Sequence, residues 1–320
     1  MTARVFIDGQ AGTTGLQIVE RLTKRRDLVL LSIDEQRRKD PLARKELLES
    51  ADVAVLCLPD EAAREAVELV ASSAGSGSKV RLLDASSAHR VAEGWVYGLP
   101  ELSRGQREAI RDAKRVSNPG CYPTGFVLLL APLVEAGLVS SDAAISIHAL
   151  SGYSGGGRKM IEQWESPVQG LVGLPFEAPY ALDKSHKHLP EMTVYSGLKN
   201  APHFVPAVGP FHSGMRVEVS LHRATLPSGT QAGRVIEAWT ERYRNEPFVR
   251  VAPLDRKLDE FAFDPRRLNG SNHIELSVCG NPSGDLLLVA VLDNLGKGAS
   301  GAAVQNLNLM LGLEEARGLE

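Results

Sequence analysis

The chain has 320 residues, of which 43% are hydrophobic and 23% charged, with a formal net charge of -3. That describes an ordinary globular protein with room for two domains, and the absence of a long basic run excludes nucleic acid as a partner. No apolar stretch approaches the roughly 18 residues of a membrane-spanning helix, and no basic and apolar leader precedes the first strand pattern, so a chain of the cytoplasm with no membrane partner is expected.

Arg4 to Ile7 is a short apolar run that leads into Gly9-Gln10-Ala11-Gly12-Thr13-Thr14-Gly15 and then a helical pattern to about Arg25. Strand, glycine turn and helix in that order suit a dinucleotide site. Gly9 and Gly12 let the backbone approach a pyrophosphate, Gly15 lets helix pack on strand, and the helix N-terminus faces the anion. Leu28 to Ile33, Asp52 to Leu58 and Lys79 to Asp84 read as further buried strands with helices between them, which predicts a doubly wound parallel sheet. Past the second strand, Asp34 and Glu35 suit a ribose 2′-hydroxyl, while Arg37, Arg38 and Lys39 suit a 2′-phosphate; the three cations favour NADP. Ser72 to Ser78 reads as a short flexible loop. Asp84-Ala85-Ser86-Ser87 lies at a strand C-terminus, where such sheets bind ligands, so Ser86 is a candidate nicotinamide contact.

Ser117-Asn118-Pro119-Gly120-Cys121-Tyr122-Pro123-Thr124-Gly125 then delivers one cysteine to the start of a helix that continues through the apolar run Phe126 to Leu133. Pro119 and Gly120 mark a turn and Pro123 suits a first helical turn. Cys121 thereby meets unpaired backbone N–H groups and the positive end of a helix dipole, an environment that favours the nucleophilic thiolate. Cys57 and Cys279 sit in apolar strand runs and are expected to be inert; three widely spaced cysteines fit neither a disulfide framework nor a zinc cluster.

Ala143 to Ala149 reads as a strand entering a second region. It is followed by Ser151-Gly152-Tyr153-Ser154-Gly155-Gly156-Gly157-Arg158-Lys159, in which hydroxyls, glycines and cations could nest an anion. Ser151, Ser154 and Arg158 are its candidate substrate contacts. Lys184-Ser185-His186-Lys187-His188-Leu189-Pro190-Glu191 supplies a proton-transfer group suited to pH 7, with His186 preferred over His188 and Glu191 as the orienting carboxylate. His-x-His with one distant cysteine lacks structural-zinc spacing, so no metal is expected. His212 is a further candidate substrate contact. Met215 to His222, Phe248 to Val251, His273 to Cys279 and Leu286 to Leu292 suit a mostly antiparallel sheet, with Thr230 to Arg242 as a helix on it. A glycine loop, Asp293 to Ala303, runs into the last helix, and Asn294, Lys297 and Gly298 within it are candidate cofactor contacts.

Together these blocks resemble the N-acetyl-γ-glutamyl-phosphate reductase family in its shorter subgroup. The resemblance rests on residues 8–15, 117–125, 151–159 and 294–301, spread over nearly the whole chain. The stretch from His186 to Glu191 is similar to the family's His-Arg-His-Thr-Pro-Glu, with Lys187 and Leu189 as departures, and Thr13 stands where the longer subgroup usually has Tyr. The resemblance implies an NADP-binding Rossmann domain, residues 1–117 and 297–320, with an α+β catalytic and oligomerisation domain, residues 118–296, similar to that of glyceraldehyde-3-phosphate dehydrogenase. It also implies dimers or tetramers. The reaction implied is reduction of an acyl phosphate in arginine biosynthesis through a Cys121 thioester, with the Cys121 backbone N–H and the Asn118 side chain as oxyanion donors. The rival readings are an aspartyl- or aminoadipyl-phosphate reductase and, from a different class, a non-catalytic NADP-binding redox sensor.

Overall fold

The computed structural model of the chain describes residues 2–38, 40–72, 79–168 and 170–319; Lys39 and residues 73–78 of the expected flexible loop lie outside them. Contacts divide the chain into two units, residues 1–119 with 299–320, and residues 120–298.

The first unit is organised around β1 (Ala3–Asp8), which pairs in parallel with β2 (Leu28–Leu31) on one side and β3 (Val53–Leu56) on the other. β4 (Arg81–Asp84) extends the sheet past β3. β5 (Val96–Tyr97) and β6 (Arg115–Ser117) complete it, giving the order β2-β1-β3-β4-β6-β5 with every pairing parallel. Apolar runs such as Val53 to Leu56, buried on both faces, are what a helix-covered parallel sheet requires. Helices α1 (Thr13–Thr23), α2 (Pro41–Ser50), α3 (Asp60–Ser72) and α4 (Gln106–Asp112) make the crossovers. Phe6, Leu48, Ala54, Leu56, Ala66 and Leu82 form one of its cores. Because β2 and β3 lie on opposite sides of β1, the chain reverses direction there, and the crevice above such a switch point is where open α/β sheets take ligands.

The second unit opens with α5 (Cys121–Glu135), buried all round from Tyr122 to Leu133. An apolar helix with no polar face needs covering on every side. β10 (Met215–Leu221) and β13 (Leu286–Leu292) lie under it, with α7 (Leu189–Ser196) and α8 (Ala232–Tyr243) alongside. Gly125 lets helix and sheet close up, since a Cβ there would come within 2.9 Å of Val217 Cγ2. Pro132 removes the N–H that would bond the Leu128 carbonyl, and the Tyr243 hydroxyl donates to that carbonyl instead, at 2.7 Å. The remaining elements are β7 (Ser146–Gly152), α6 (Gly157–Trp164), β8 (Ala178–Pro179), β9 (His203–Gly209), β11 (Val249–Val251) and β12 (Ile274–Gly280). The sheet order is β11-β12-β13-β10-β7-β9-β8, antiparallel except at β11 with β12 and β7 with β9.

Three elements of this unit depart from the sequence expectation. β9 is hidden in the sequence by Pro206, which cannot donate to a ladder and reads as a strand breaker. The strand expected at Ala143 starts three residues later, at Ser146, because Ser140 to Ala143 forms a turn. α7 begins inside the histidine stretch, with Pro190 in its first turn and Gly197 as its left-handed cap. After residue 298 the chain returns to the first unit as α9 (Gly301–Met310), which packs on α1, α4 and β4.

Candidate active site

Cys121 is the first residue of α5, and Gly120 is its cap in extended conformation, with no side chain of its own to bond the helix end. The first-turn N–H groups of a 15-residue helix therefore point toward the region of the sulfur. The turn is held from α7: the Glu191 carboxylate, 1% exposed, accepts the Gly120 N–H at 3.0 Å. The other flank is Gly298, where a Cβ would lie 2.9 Å from the Cys121 Cβ.

Aromatic and imidazole rings gather beside this cysteine. Tyr122 packs edge-on to Phe204 and His186 and tilted to His188, at centroid separations of 5.1, 6.1 and 5.9 Å. The Tyr180 hydroxyl lies 3.4 Å from the Tyr122 hydroxyl and 3.5 Å from His186 Nε2. The His188 N–H donates to His186 Nδ1 at 3.2 Å, which makes Nε2 the protonated nitrogen of a neutral His186 ring. Burial pushes the Tyr180 phenol up to about 12, with the neighbouring charge of Cys121 adding to the shift. Burial likewise holds Tyr122 well above its usual value, with Tyr180 and Cys121 adding to it and a hydrogen bond from Ser151 opposing it. Both phenols are neutral hydrogen-bonding groups throughout the physiological range.

The serine loop joins the same unit through β13. Ser151 and Ser154 are both 2% exposed. Asn294 Nδ2 donates to Ser154 Oγ at 3.0 Å, and Asn294 Oδ1 accepts the Gly214 N–H at 2.7 Å. Gly152 passes so close to the His212 carbonyl that a Cβ would approach it to 2.5 Å. His212 itself stacks edge-on against Tyr153 and accepts the Ser154 N–H through its carbonyl.

In the first unit the glycine turn connects β1 to α1 at the sheet's switch point. Gly9 has φ +93° and a Cβ there would meet the Cys57 carbonyl oxygen at 2.2 Å; a Cβ at Gly15 would meet the Gly9 carbonyl at 2.3 Å. Gly12 is different. It caps α1 without a side-chain bond, and a Cβ there would find nothing nearer than 3.4 Å. Packing does not demand that glycine, whereas an anion drawn up to the N–H groups of Thr13 and Thr14 would. The turn therefore fits a dinucleotide pyrophosphate. Asp34 caps the next turn through the Gln36 N–H, Arg37 pairs with Asp40 at 3.4 Å, and Arg38 pairs with Glu35. At the end of β4, Asp84 is fully buried and accepts from Ser86 Oγ at 2.7 Å, with His89 Nδ1 at 2.6 Å.

Several expected contacts are placed elsewhere. Lys297 is fully buried, with its Nζ 5.6 Å from the Phe248 ring of the same unit. Asn294 bonds Ser154 and the Gly214 N–H. Asn118 donates to the Ala299 carbonyl at 3.1 Å and accepts from Asn306 at 3.0 Å, bonds that brace the first unit. The Arg158 side chain is 80% exposed and pairs with Glu162 one turn along α6. Cys57 follows β3, and burial pushes its thiol up to about 12. Cys279 is half-buried near the end of β12, outside the core, and partial burial raises its thiol. The sequence reading missed Tyr122, Tyr180, His89 and Asp293. Tyr122 adjoins the cysteine and could have been found; the others are brought in only by packing.

Residues 4–113 match the family model described as semialdehyde dehydrogenase, NAD binding domain, and residues 121–294 match semialdehyde dehydrogenase, dimerisation domain. N-acetyl-gamma-glutamyl-phosphate reductase 2 of Nostoc sp. is 50% identical over 323 aligned residues, covering 99% of both chains. The Pseudomonas putida protein of the same name is 50% identical over 318 residues, again covering 99% of both. Among solved structures, aspartate semialdehyde dehydrogenase of Francisella tularensis shares the fold at TM-score 0.71 with 16% identity, over 97% of this chain and 100% of that one. The Candida albicans aspartate semialdehyde dehydrogenase solved with NADP does so at TM-score 0.66 with 15% identity, over 97% and 99%.

Proposed function

The chain belongs to the N-acetyl-gamma-glutamyl-phosphate reductase family, and on that premise we propose that it reduces N-acetyl-γ-glutamyl phosphate to N-acetylglutamate semialdehyde with NADPH, in the cytoplasm, as a step of arginine biosynthesis. The observation that carries the route is the position of Cys121 as the first residue of a buried helix whose cap is a glycine. Negative charge on the sulfur, and on the oxygen of a tetrahedral adduct, is favoured there by the helix dipole.

The Cys121 sulfur attacks the acyl carbon, the carbon–oxygen bond to phosphate breaks, and a thioester remains with inorganic phosphate released. NADPH supplies the hydride that reduces this thioester. The hemithioacetal then releases the aldehyde and regenerates the Cys121 sulfur. A covalent thioester divides one difficult step into two easier ones. His186 gives the proton from Nε2 to the oxygen of the adduct and takes it back as the aldehyde leaves, with His188 as the alternative carrier, while Tyr122 and Tyr180 keep the site polar but neutral. Glu191 steadies the cysteine turn through the Gly120 N–H. Ser151 and Ser154 receive the departing phosphate. Gly9, Gly12, Thr13, Thr14 and Gly15 hold the cofactor pyrophosphate, Arg37 and Arg38 its 2′-phosphate, and Ser86 lies toward the nicotinamide. The second unit pairs with another copy of the chain, a reading that the dimerisation-domain match supports.

The test is Cys121→Ser, assayed with N-acetylglutamate semialdehyde, phosphate and NADP in the oxidative direction. Turnover should fall by about three orders of magnitude or more while NADPH still binds. Near-normal turnover in that variant rules out the thioester route. Faster turnover of aspartate semialdehyde than of the N-acetylglutamate compound in the unmodified protein would reassign the substrate.

A further inference from the structure

The six residues after β13 turn into a short π-helical segment, Gly296–Ser300, and this turn is fixed at both of its ends. The Asp293 carboxylate, 4% exposed, accepts the Leu295 N–H at 2.9 Å and the Gly270 N–H at 2.8 Å. Its backbone carbonyl accepts the Gly298 N–H at 2.9 Å. At Gly296 a Cβ would stand 2.1 Å from the Ser271 carbonyl oxygen, so the turn lies pressed against residues 270–271 and cannot move closer. Its last residue, Gly298, lies against the cysteine. A Cβ there would come to 2.9 Å from the Cys121 Cβ and 3.3 Å from the Cys121 Cα. Gly298 is not among the glycines with positive φ, so contact and not backbone conformation requires a glycine at this position.

We propose that the Asp293–Gly298 turn is a positioning device for the nucleophile. Gly298 is its bearing surface against Cys121 and Asp293 is the anchor that holds that surface in place. The proposal rests on the reading that Cys121 is the nucleophile. Gly298 acts through Cys121: a methyl group there displaces the cysteine Cβ, and with it the sulfur, from the end of α5. The atoms in the way belong to the base of the cysteine and its backbone, which a rotamer change cannot move. A displacement of about 1 Å at a reacting atom costs on the order of a hundredfold in rate.

The experiment compares Gly298→Ala and Asp293→Asn with the unmodified full chain by initial-rate kinetics in both substrates and by the pH profile of Cys121 alkylation with iodoacetamide. For Gly298→Ala, kcat should fall by about ten- to a hundredfold with the KM for NADPH within about twofold, and alkylation at pH near 7 should slow as the sulfur leaves the helix end. Asp293→Asn keeps the side chain's size and one acceptor, and should show the same split at smaller amplitude. Unmodified kcat in Gly298→Ala overturns the proposal, as does a loss confined to the KM for NADPH with an unchanged alkylation profile. Should Gly298→Ala not fold, unmodified kcat and alkylation in Asp293→Asn overturn it. Cys121→Ser run in parallel separates the two claims. Retained turnover there removes the thioester route, whereas lost turnover there with unmodified kinetics in Gly298→Ala removes only the positioning role.

Discussion

α1 and α5 begin in nearly the same way. Gly12 caps the first at φ -77° and ψ 158°, Gly120 caps the second at φ -74° and ψ 154°, and neither glycine has a side chain to cap its helix. A helix start without a side-chain cap leaves its first-turn N–H groups for something negative. The two helices diverge immediately past their caps. α1 is amphipathic, with only Gly15, Ile18 and Leu22 buried, and its first residues are two threonines suited to reversible contact with a phosphate. α5 is enclosed from its second residue onward and carries a sulfur at its first, suited to a bond that must form at one place. On the function proposed above, one backbone geometry serves reversible binding in one unit and covalent chemistry in the other. The surroundings of the helix decide which.

Removing the covalent half should have the largest effect. Cys121→Ala should reduce turnover to about a thousandth or less while calorimetry finds the NADPH affinity within about twofold. A large loss of NADPH affinity would mean the two helix ends do not have separate duties. Next comes Gly12→Asp. Aspartate is a preferred cap and the extended φ of Gly12 accepts it, so thermal stability should hold or rise by about 1 kcal/mol. The same carboxylate would repel a pyrophosphate, so NADPH affinity should fall by about a hundredfold. Unchanged affinity would remove the cofactor from this turn. Smaller again, Arg37→Ala with Arg38→Ala should weaken NADPH by about tenfold and leave NADH untouched, because only the former has a 2′-phosphate to pair. Equal weakening of both would assign these cations to the loop alone.

The smallest effect is a pH dependence of stability in the second unit. His148 on β7 lies 3.0 Å from both Glu177 and Glu218, and Arg216 pairs with Glu218 at 3.2 Å on the same sheet face. Burial lowers the His148 value, but the two carboxylates outweigh it and hold it above the usual 6.5. A raised folded value means that the stabilisation is complete below pH about 6.5 and is lost as pH rises through the folded value. Urea titrations should therefore show His148→Gln less stable than the unmodified chain in mild acid, with the gap closing at alkaline pH. A gap that widens with pH would reverse the assignment.

Local rules were enough for much of this protein. Gly9 and Gly15 announced a strand–turn–helix because a glycine with positive φ and a close backbone approach leave few alternatives. The run from Phe126 to Leu133 announced a buried helix because it has no polar face. Cys121 stood out because a Pro-Gly turn before a helix is a costly way to make a core residue. Other features gave no local sign. Glu191 lies 71 residues from Gly120 in the chain, and Asn294 lies 140 from Ser154. Tyr180 reaches Tyr122 across 58 residues, and Gly298 touches Cys121 after the chain has crossed the whole second unit. Lys297 and Asn294 carried the residue types of a cofactor loop, yet packing turned both inward. The parallel sheet, the mostly antiparallel character of the second sheet, the two glycine-capped helix starts and the cysteine at the second of them were legible in the chain alone, because capping and apolar periodicity act over a few residues. Which side chains converge on that cysteine was settled by packing in three dimensions, since burial and hydrogen bonding select partners by distance in space, and neighbouring residues in the chain carry no trace of that choice.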